Sequence, residues 1–432
     1  MKKRSFLRDI SGIFSSNVLS VLLTLVAGII IARYLGPQGK GTFTALTVVP
    51  VIVASFAAMG IRRTAIYFIG KKELSDKEVA SAVIQILIIT SIAGMALTAL
   101  AFFWLDNPSF TFFLIAIVVL IIPFRLSTVY IAGIYIGKQQ YRFSNMIKWS
   151  VPLLNFLLLV LFIIVLNLGI KGALLAILGS GIIISVVAFY KLYSDIGFSM
   201  KWNGSLIKRM LRLGGLYAAS LLIMKLIYRI DVLLLERLSD LSEVGYYSIA
   251  VNISEQLWQL PMAVGIVLMS RSAGSDHSHQ MNRQVGQSLR FSLLLSLLGA
   301  AVLFVIAPYL IPWIYGVEFE NAAILLQTIL PGIVLFIIFR ILNSHLNGLG
   351  KPMPSIYAIV PALILNILLN IILIPEHDGL GAALATNISY TIGALIMIFL
   401  YIRITKSSLS ILLVPKREDF EIIANKLKTI RR

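Results

Sequence analysis

The 432-residue chain has no cysteine, which excludes disulfides, thiolate metal ligands and cysteine nucleophiles. Charge is also scarce: 13% of residues are charged, where soluble domains carry about 25%. Acids are the rarer sign, with 19 Asp and Glu against 37 Lys and Arg. No Gly-rich phosphate loop occurs, so nucleotide hydrolysis of the P-loop kind is excluded. The four histidines, His277, His279, His345 and His377, are scattered. "DHSH" at 276–279 has the spacing of a metal pair but no further ligands beside it. What is abundant is apolar: 59% of the chain is hydrophobic and the mean hydropathy is +0.93.

Apolar runs of 18 or more residues recur from end to end, each long enough to cross a hydrocarbon core about 30 Å thick as a helix. A backbone in lipid must satisfy its own hydrogen bonds, so an all-α integral membrane protein is expected. The pattern predicts twelve helices near 10–32, 43–69, 79–104, 110–137, 149–166, 170–190, 211–236, 244–270, 288–314, 322–347, 355–374 and 380–402. The first follows a basic flank, Lys2-Lys3-Arg4, and reads as a span rather than a signal peptide, because its apolar stretch is long and lacks a small-residue cleavage site. The longest connection, 271–287, is too short to house a soluble domain.

The net charge of +18 is spread through short loops and a tail rather than gathered into one patch, which argues for topology and against nucleic acid. Placing the N-terminus in the cytoplasm puts 29 of the 37 basic residues on that side, and only Arg33, Lys40, Lys171 and Arg237 opposite. Both termini are therefore expected inside a cytoplasmic (inner) membrane. The tail, "KREDFEIIANKLKTIRR", sets Phe420, Ile423, Leu427 and Ile430 on one helical face among basic residues, a pattern suited to an anionic membrane surface.

A shift of 204 superposes "LRDISGIFSS" on "LRLGGLYAAS", Arg33 on Arg237, Gly41 on Gly245 and Phe43 on Tyr247. A shift of 215 then brings Phe124-Arg125 onto Phe339-Arg340 and Gly133 onto Gly348. The order of these matches suggests a duplication, with six-helix bundles over 1–208 and 209–403 and a basic tail over 404–432. Six is even, so both halves enter the membrane in one orientation, related by a pseudo-two-fold axis along its normal. A substrate path between them is expected.

The stretches "IARYLGPQGKGTF" and "VGYYSIAVNISEQLWQLPMAVG" resemble the polysaccharide-exporter branch of the multidrug/oligosaccharidyl-lipid/polysaccharide (MOP) superfamily, and the resemblance runs through nearly the whole chain. It implies a MATE-like fold and a flippase for undecaprenyl-diphosphate-linked saccharides, working beside membrane lipids, a polysaccharide polymerase and chain-length machinery. It implies no catalytic residues and no cofactor, and leaves sodium and protons both open as coupling ions.

The residues bear on this independently. "SLLIMKLIYRIDVLLLE", 220–236, carries Lys225, Arg229 and Asp231 inside an apolar run. At helical rise Lys225 is about 20 Å from Arg212 and about 16 Å from Glu236, near mid-membrane. A charge there costs on the order of 2.5 to 3.5 kcal/mol on insertion scales, so a cavity, an anion or a counter-charge is expected. Asn252, Glu255, Gln256 and Gln259 follow at i, i+3, i+4 and i+7, a polar stripe before Pro261, which is expected to bend the helix. Glu255 lies at a depth that suits pairing with Lys225, and Trp258 is placed to stack on a sugar ring or to pack inside. Arg125 and Arg340 occupy equivalent repeat positions, and Arg62 and Arg63 lie at the inner mouth if their helix runs through Ile69. The cations Arg125, Lys225, Arg229 and Arg340 outnumber Asp231 and Glu255 by two. That excess suits an anionic headgroup and argues against a cation-coupled drug exporter with an acidic cavity. Short outer loops argue against a membrane glycosyltransferase or polymerase.

Overall fold

The computed structural model of the protein describes residues 3–58, 60–72, 74–272 and 279–414, so most of the predicted tail helix lies outside the described residues. Among them every regular element is helical. Helices α1 (Lys3–Ala57), α2 (Ile61–Lys71), α3 (Asp76–Leu105), α4 (Phe112–Gly137), α5 (Tyr141–Leu159), α6 (Gly169–Asp195), α7 (Gly204–Ile227) and α8 (Ile230–Leu238) are followed by α9 (Leu241–Ser254), α10 (Gln259–Ser272), α11 (His279–Tyr315), α12 (Asn321–Gly348), α13 (Met353–Thr405) and the short α14 (Leu409–Leu413). They make the twelve expected spans, because α1 and α13 each hold two while α2, α8 and α10 continue the spans begun in α1, α7 and α9. The joints are kinks rather than loops: Gly36 takes φ 66°, ψ −178° before Pro37, and Asp378 takes φ 48°, ψ −130°. The chain divides into two compact units, 1–237 and 238–432.

Four predicted helices are interrupted, the fifth by a π-helix over Val160–Val165. The second breaks at 58–60, where Gly60 adopts φ 66°, and resumes as α2. Tyr130 Oη donates to the carbonyl of Ala57 at 3.2 Å, so a carbonyl at the break keeps a partner. The seventh breaks at Tyr228–Arg229, between α7 and α8. The eighth tightens to a 3₁₀ turn over Glu255–Trp258. This last departure has the expected cause: the ring of Pro261 excludes the carbonyl four residues back, and the strain falls in the preceding turn.

Large aromatics mark the span ends. Phe103, Trp104, Phe112 and Phe113 are exposed where α3 and α4 meet, as are Tyr309 and Trp313 near the end of α11, and Tyr190, Tyr193 and Trp202 mark the basic side. The core of unit 1 gathers around Tyr130, Tyr135, Phe68 and Ile122. In unit 2, α12 and α13 approach through Gly332, where an added Cβ would lie 2.7 Å from the Cα of Asn387. Gly332→Val should therefore push the two backbones apart at a cost of about 1–3 kcal/mol, read as a lower thermal midpoint in detergent; an unchanged midpoint would contradict the packing.

Candidate functional site

In unit 1 the cations Arg62, Arg63 and Arg125 are all exposed on helices of the apolar candidate spans. Arg62 and Arg63 lie on α2, which runs through Ile69 as a separate helix after the break at Gly60 rather than as the continuous second span expected. Gly133 fixes their level: a Cβ there would sit 3.0 Å from Arg62 Cγ and 3.2 Å from its Cα. Gly137 meets Ile66 and Ile69 in the same way, so α2 and α4 run side by side towards the basic face. Arg125 is eight residues before Gly133 on α4, about 12 Å deeper at helical rise. Lys148, on α5, is exposed and close enough to Arg62 for their charges to act on one another. Lys148, which precedes the predicted fifth helix at 149–166, lies inside α5, which begins at Tyr141. Lys40, buried with its Nζ 5.6 Å from the ring centre of Phe43, was likewise read as a loop residue.

The break in the seventh span gives its charges a local reason. Lys225 sits in the last turn of α7 and Asp231 in the first turn of α8. Each is at the helix end whose dipole favours its sign, an effect of about 0.3–1 kcal/mol for exposed groups. Asp231 is 2% exposed and its Oδ1 accepts from the amide of Val232 at 2.9 Å. Arg229 lies at the break itself, donating from Nη1 to the carbonyl of Tyr228 at 2.8 Å. Lys225 is exposed, so it does not share that buried setting. The angular relation expected from one continuous helix no longer applies.

In unit 2 the four-residue polar stripe is split by the 3₁₀ turn. Asn252 and Gln259 are exposed, Glu255 and Gln256 are half-buried, and Gln256 Nε2 donates to the carbonyl of Asn252 at 2.8 Å. The tighter turn alters the register, so the stripe is not the single straight face that α-helical spacing predicts. Trp258 is not available to a sugar. It is 3% exposed, donates Nε1–H to the carbonyl of Ile333 at 2.9 Å, and has the guanidinium of Arg340 stacked 4.3 Å from its ring centre. Arg340 is thus half-buried on an aromatic face while Arg125 is exposed. The repeat equivalence of the two arginines does not extend to their surroundings.

A second polar group in unit 2 escaped the sequence reading. Asn366 and Asn370 on α13 are fully buried; Asn370 Nδ2 donates to the carbonyl and Oδ1 of Asn366 at 2.8 and 3.1 Å. Asn366 Nδ2 approaches Thr386 Oγ1 at 3.5 Å, and Thr386 pairs with Tyr247 Oη at 3.0 Å. Interhelical amide bonds of this kind join spans to one another. The i, i+4 spacing of the two asparagines was the available signal. Among the described residues no three His, Asp or Glu side chains are grouped to hold a metal. His345 is engaged by Tyr401 Oη at 2.8 Å from its Nδ1, and His277 lies outside the described residues.

Spans built from kinked and broken helices, with Lys225, Arg229 and Asp231 around one of the breaks, define a polytopic helical membrane protein. The chain belongs to the polysaccharide biosynthesis protein family, which it matches over residues 6–268. The MatE family matches over 217–372. An uncharacterized membrane protein of Methanocaldococcus jannaschii is 26% identical over 93% of this chain and 99% of its own length. A probable low-salt glycan biosynthesis flippase of Haloferax volcanii is 25% identical, over 36% of this chain and 34% of its own. Among solved structures, the lipid II flippase MurJ in an inward closed conformation superposes with a TM-score of 0.74 at 14% identity, covering 90% of this chain and 87% of that one. A multidrug resistance MATE family transporter of the MOP superfamily gives 0.71 at 16% identity, covering 90% and 94%. The fold is therefore that of the MOP superfamily.

Proposed function

We propose that the protein is a flippase that carries an undecaprenyl-diphosphate-linked oligosaccharide from the inner to the outer leaflet of the cytoplasmic membrane by alternating access. Both termini are cytoplasmic in this reading, as the charge bias of the loops requires. The observation that carries it is the set of exposed cations on largely apolar helices of unit 1: Arg62, Arg63, Arg125, Lys148 and Lys225. Exposed cations facing lipid would be costly; facing water and an anion they are not. A diphosphate offers several strong acceptors, which arginine grips through two parallel N–H donors and lysine meets as a point charge. In unit 2, Asn252, Gln256 and Gln259 suit sugar hydroxyls, with Glu255 and Arg340 as the charged groups of that unit; in unit 1, Arg229 and Asp231 are the charges of the broken span. The family match and the glycan biosynthesis flippase among the relatives support a lipid-linked saccharide. A polysaccharide polymerase with its chain-length machinery would consume the product.

The second reading is a multidrug exporter, favoured by the MatE match and by a probable multidrug resistance protein of Oceanobacillus iheyensis, 27% identical over 36% of this chain and 38% of its own. Reconstituted vesicles separate the two. With a fluorescent polyprenyl-diphosphate sugar in the inner leaflet, the flippase reading expects it to become accessible outside at a rate well above that of protein-free vesicles. No movement of that lipid, together with export of a cationic dye, would replace the first reading by the second.

A further inference from the structure

The outer end of α8 holds a carboxyl group that the transport reading does not use. Glu236 is 6% exposed. Its Oε1 accepts from Asn107 Nδ2 at 2.7 Å, and its Oε2 is buried with no hydrogen-bond partner. The adjacent cation, Arg237, donates from Nη1 to the carbonyl of Leu105 at 2.9 Å and lies 5.9 Å from the ring centre of Trp104; among the described residues it makes no ion pair with Glu236, although its charge acts on the carboxyl. On the packed element, the connection between α3 and α4, the charged residue is Asp106, which is exposed and of like sign. Asn107 Oδ1 is taken by the amide of Ser109 at 2.9 Å. On α8 itself Asp231 lies more than a turn away, at the opposite end of the helix.

Two features oppose a negative charge at this position. The group is out of water, where an ionised carboxylate is very costly. It also sits in the last turn of α8, where the helix dipole is itself negative. The Asn107 amide and the neighbouring Arg237 charge offset only part of this. A proton on the carboxyl removes both penalties at once. The way to water is short, because Asp106, Pro108 and Ser109 around the donor are exposed.

We propose that Glu236 is a proton-binding site whose occupancy holds α8 to the connection between α3 and α4. When protonated, the group is neutral and keeps its bond to Asn107. When the proton passes to water, the Asn107 amide can still donate to the carboxylate, but the buried charge is drawn towards solvent, and the end of α8 is held less firmly. Since α8 begins directly after the break at Tyr228–Arg229 and carries Asp231, the proton is linked to the movement of that broken span. This holds whatever the protein transports.

The test uses the full chain in lipid, without substrate. Infrared spectra should contain a protonated-carboxyl band that persists at pH above the ordinary glutamate value of about 4.3, and Glu236→Gln should remove it. Asn107→Ala keeps the carboxyl but removes its donor, and should move the band to higher frequency. The thermal midpoint of the wild type should fall relative to Glu236→Gln as pH is raised through the band's disappearance. No band removed by Glu236→Gln, or a difference in midpoint that does not change with pH, would overturn the proposal. Because neither readout involves transport, failure here is distinguishable from failure of the flippase reading.

Discussion

Lys225→Met should lower lipid-linked saccharide flipping by roughly 10- to 100-fold while leaving the protein folded and abundant in the membrane. The range follows from a hydrogen bond to a charged group, worth about 1.5–3 kcal/mol, at about 1.4 kcal/mol per tenfold. The competing role is local: Lys225 ends α7, where a cation stabilises the helix dipole by no more than about 1 kcal/mol. Methionine keeps most of the side-chain length, so the thermal midpoint should barely move. Lys225→Arg preserves both the dipole interaction and the anion contact, and should retain most of the transport. A variant that loses stability in step with transport, and is not rescued by arginine, would assign Lys225 to the helix break alone. Glu255→Gln is the companion measurement: it removes charge from the half-buried 3₁₀ turn, and full activity would take Glu255 out of the site.

The class of fold was legible because membrane helices obey simple rules of length, hydropathy and loop charge. All twelve spans were readable as apolar runs. Their interruptions were legible only where a residue type forces them, as Pro261 does for the turn before it. The break at Tyr228–Arg229 has neither proline nor glycine within it, so periodicity gave no warning. The charges on either side, Lys225 and Asp231, were visible as an anomaly, but that they occupy two helix ends required the backbone. Single charges in apolar sequence are easy to see. Which way they point is a tertiary property: Arg125 and Arg340 match in the repeat, yet one is exposed and the other lies on Trp258. Asn366 and Asn370 were hidden differently, since two neutral amides barely perturb the hydropathy of a span and become a polar group only when Thr386 and Tyr247 reach them from elsewhere in unit 2.

Trp258→Ala should destabilise unit 2 by about 3–5 kcal/mol, the usual cost of emptying a buried aromatic site. The indole is 3% exposed and sits at a junction of packing and hydrogen bonding. Phe336 and Tyr390 lie 5.7 and 6.0 Å from it, centre to centre, and Phe336 stacks in turn on Tyr390 at 4.4 Å and Phe339 at 4.9 Å. Alanine would leave a cavity among these rings, remove the donor to Ile333 and uncover the guanidinium of Arg340. Stacked cation contacts that are shielded from water contribute about 2 kcal/mol. Trp258→Phe separates the contributions: it keeps an aromatic face for Arg340 but loses the N–H, and should cost about 1–3 kcal/mol, the penalty for a buried carbonyl without its donor. The readout is the thermal midpoint in detergent for Trp258→Ala, Trp258→Phe, Arg340→Met and the double variant Trp258→Ala with Arg340→Met. Coupling between the two positions predicts that the double variant costs less than the sum of the single ones. Strict additivity would mean that Arg340 is held by other groups and that the indole serves packing alone.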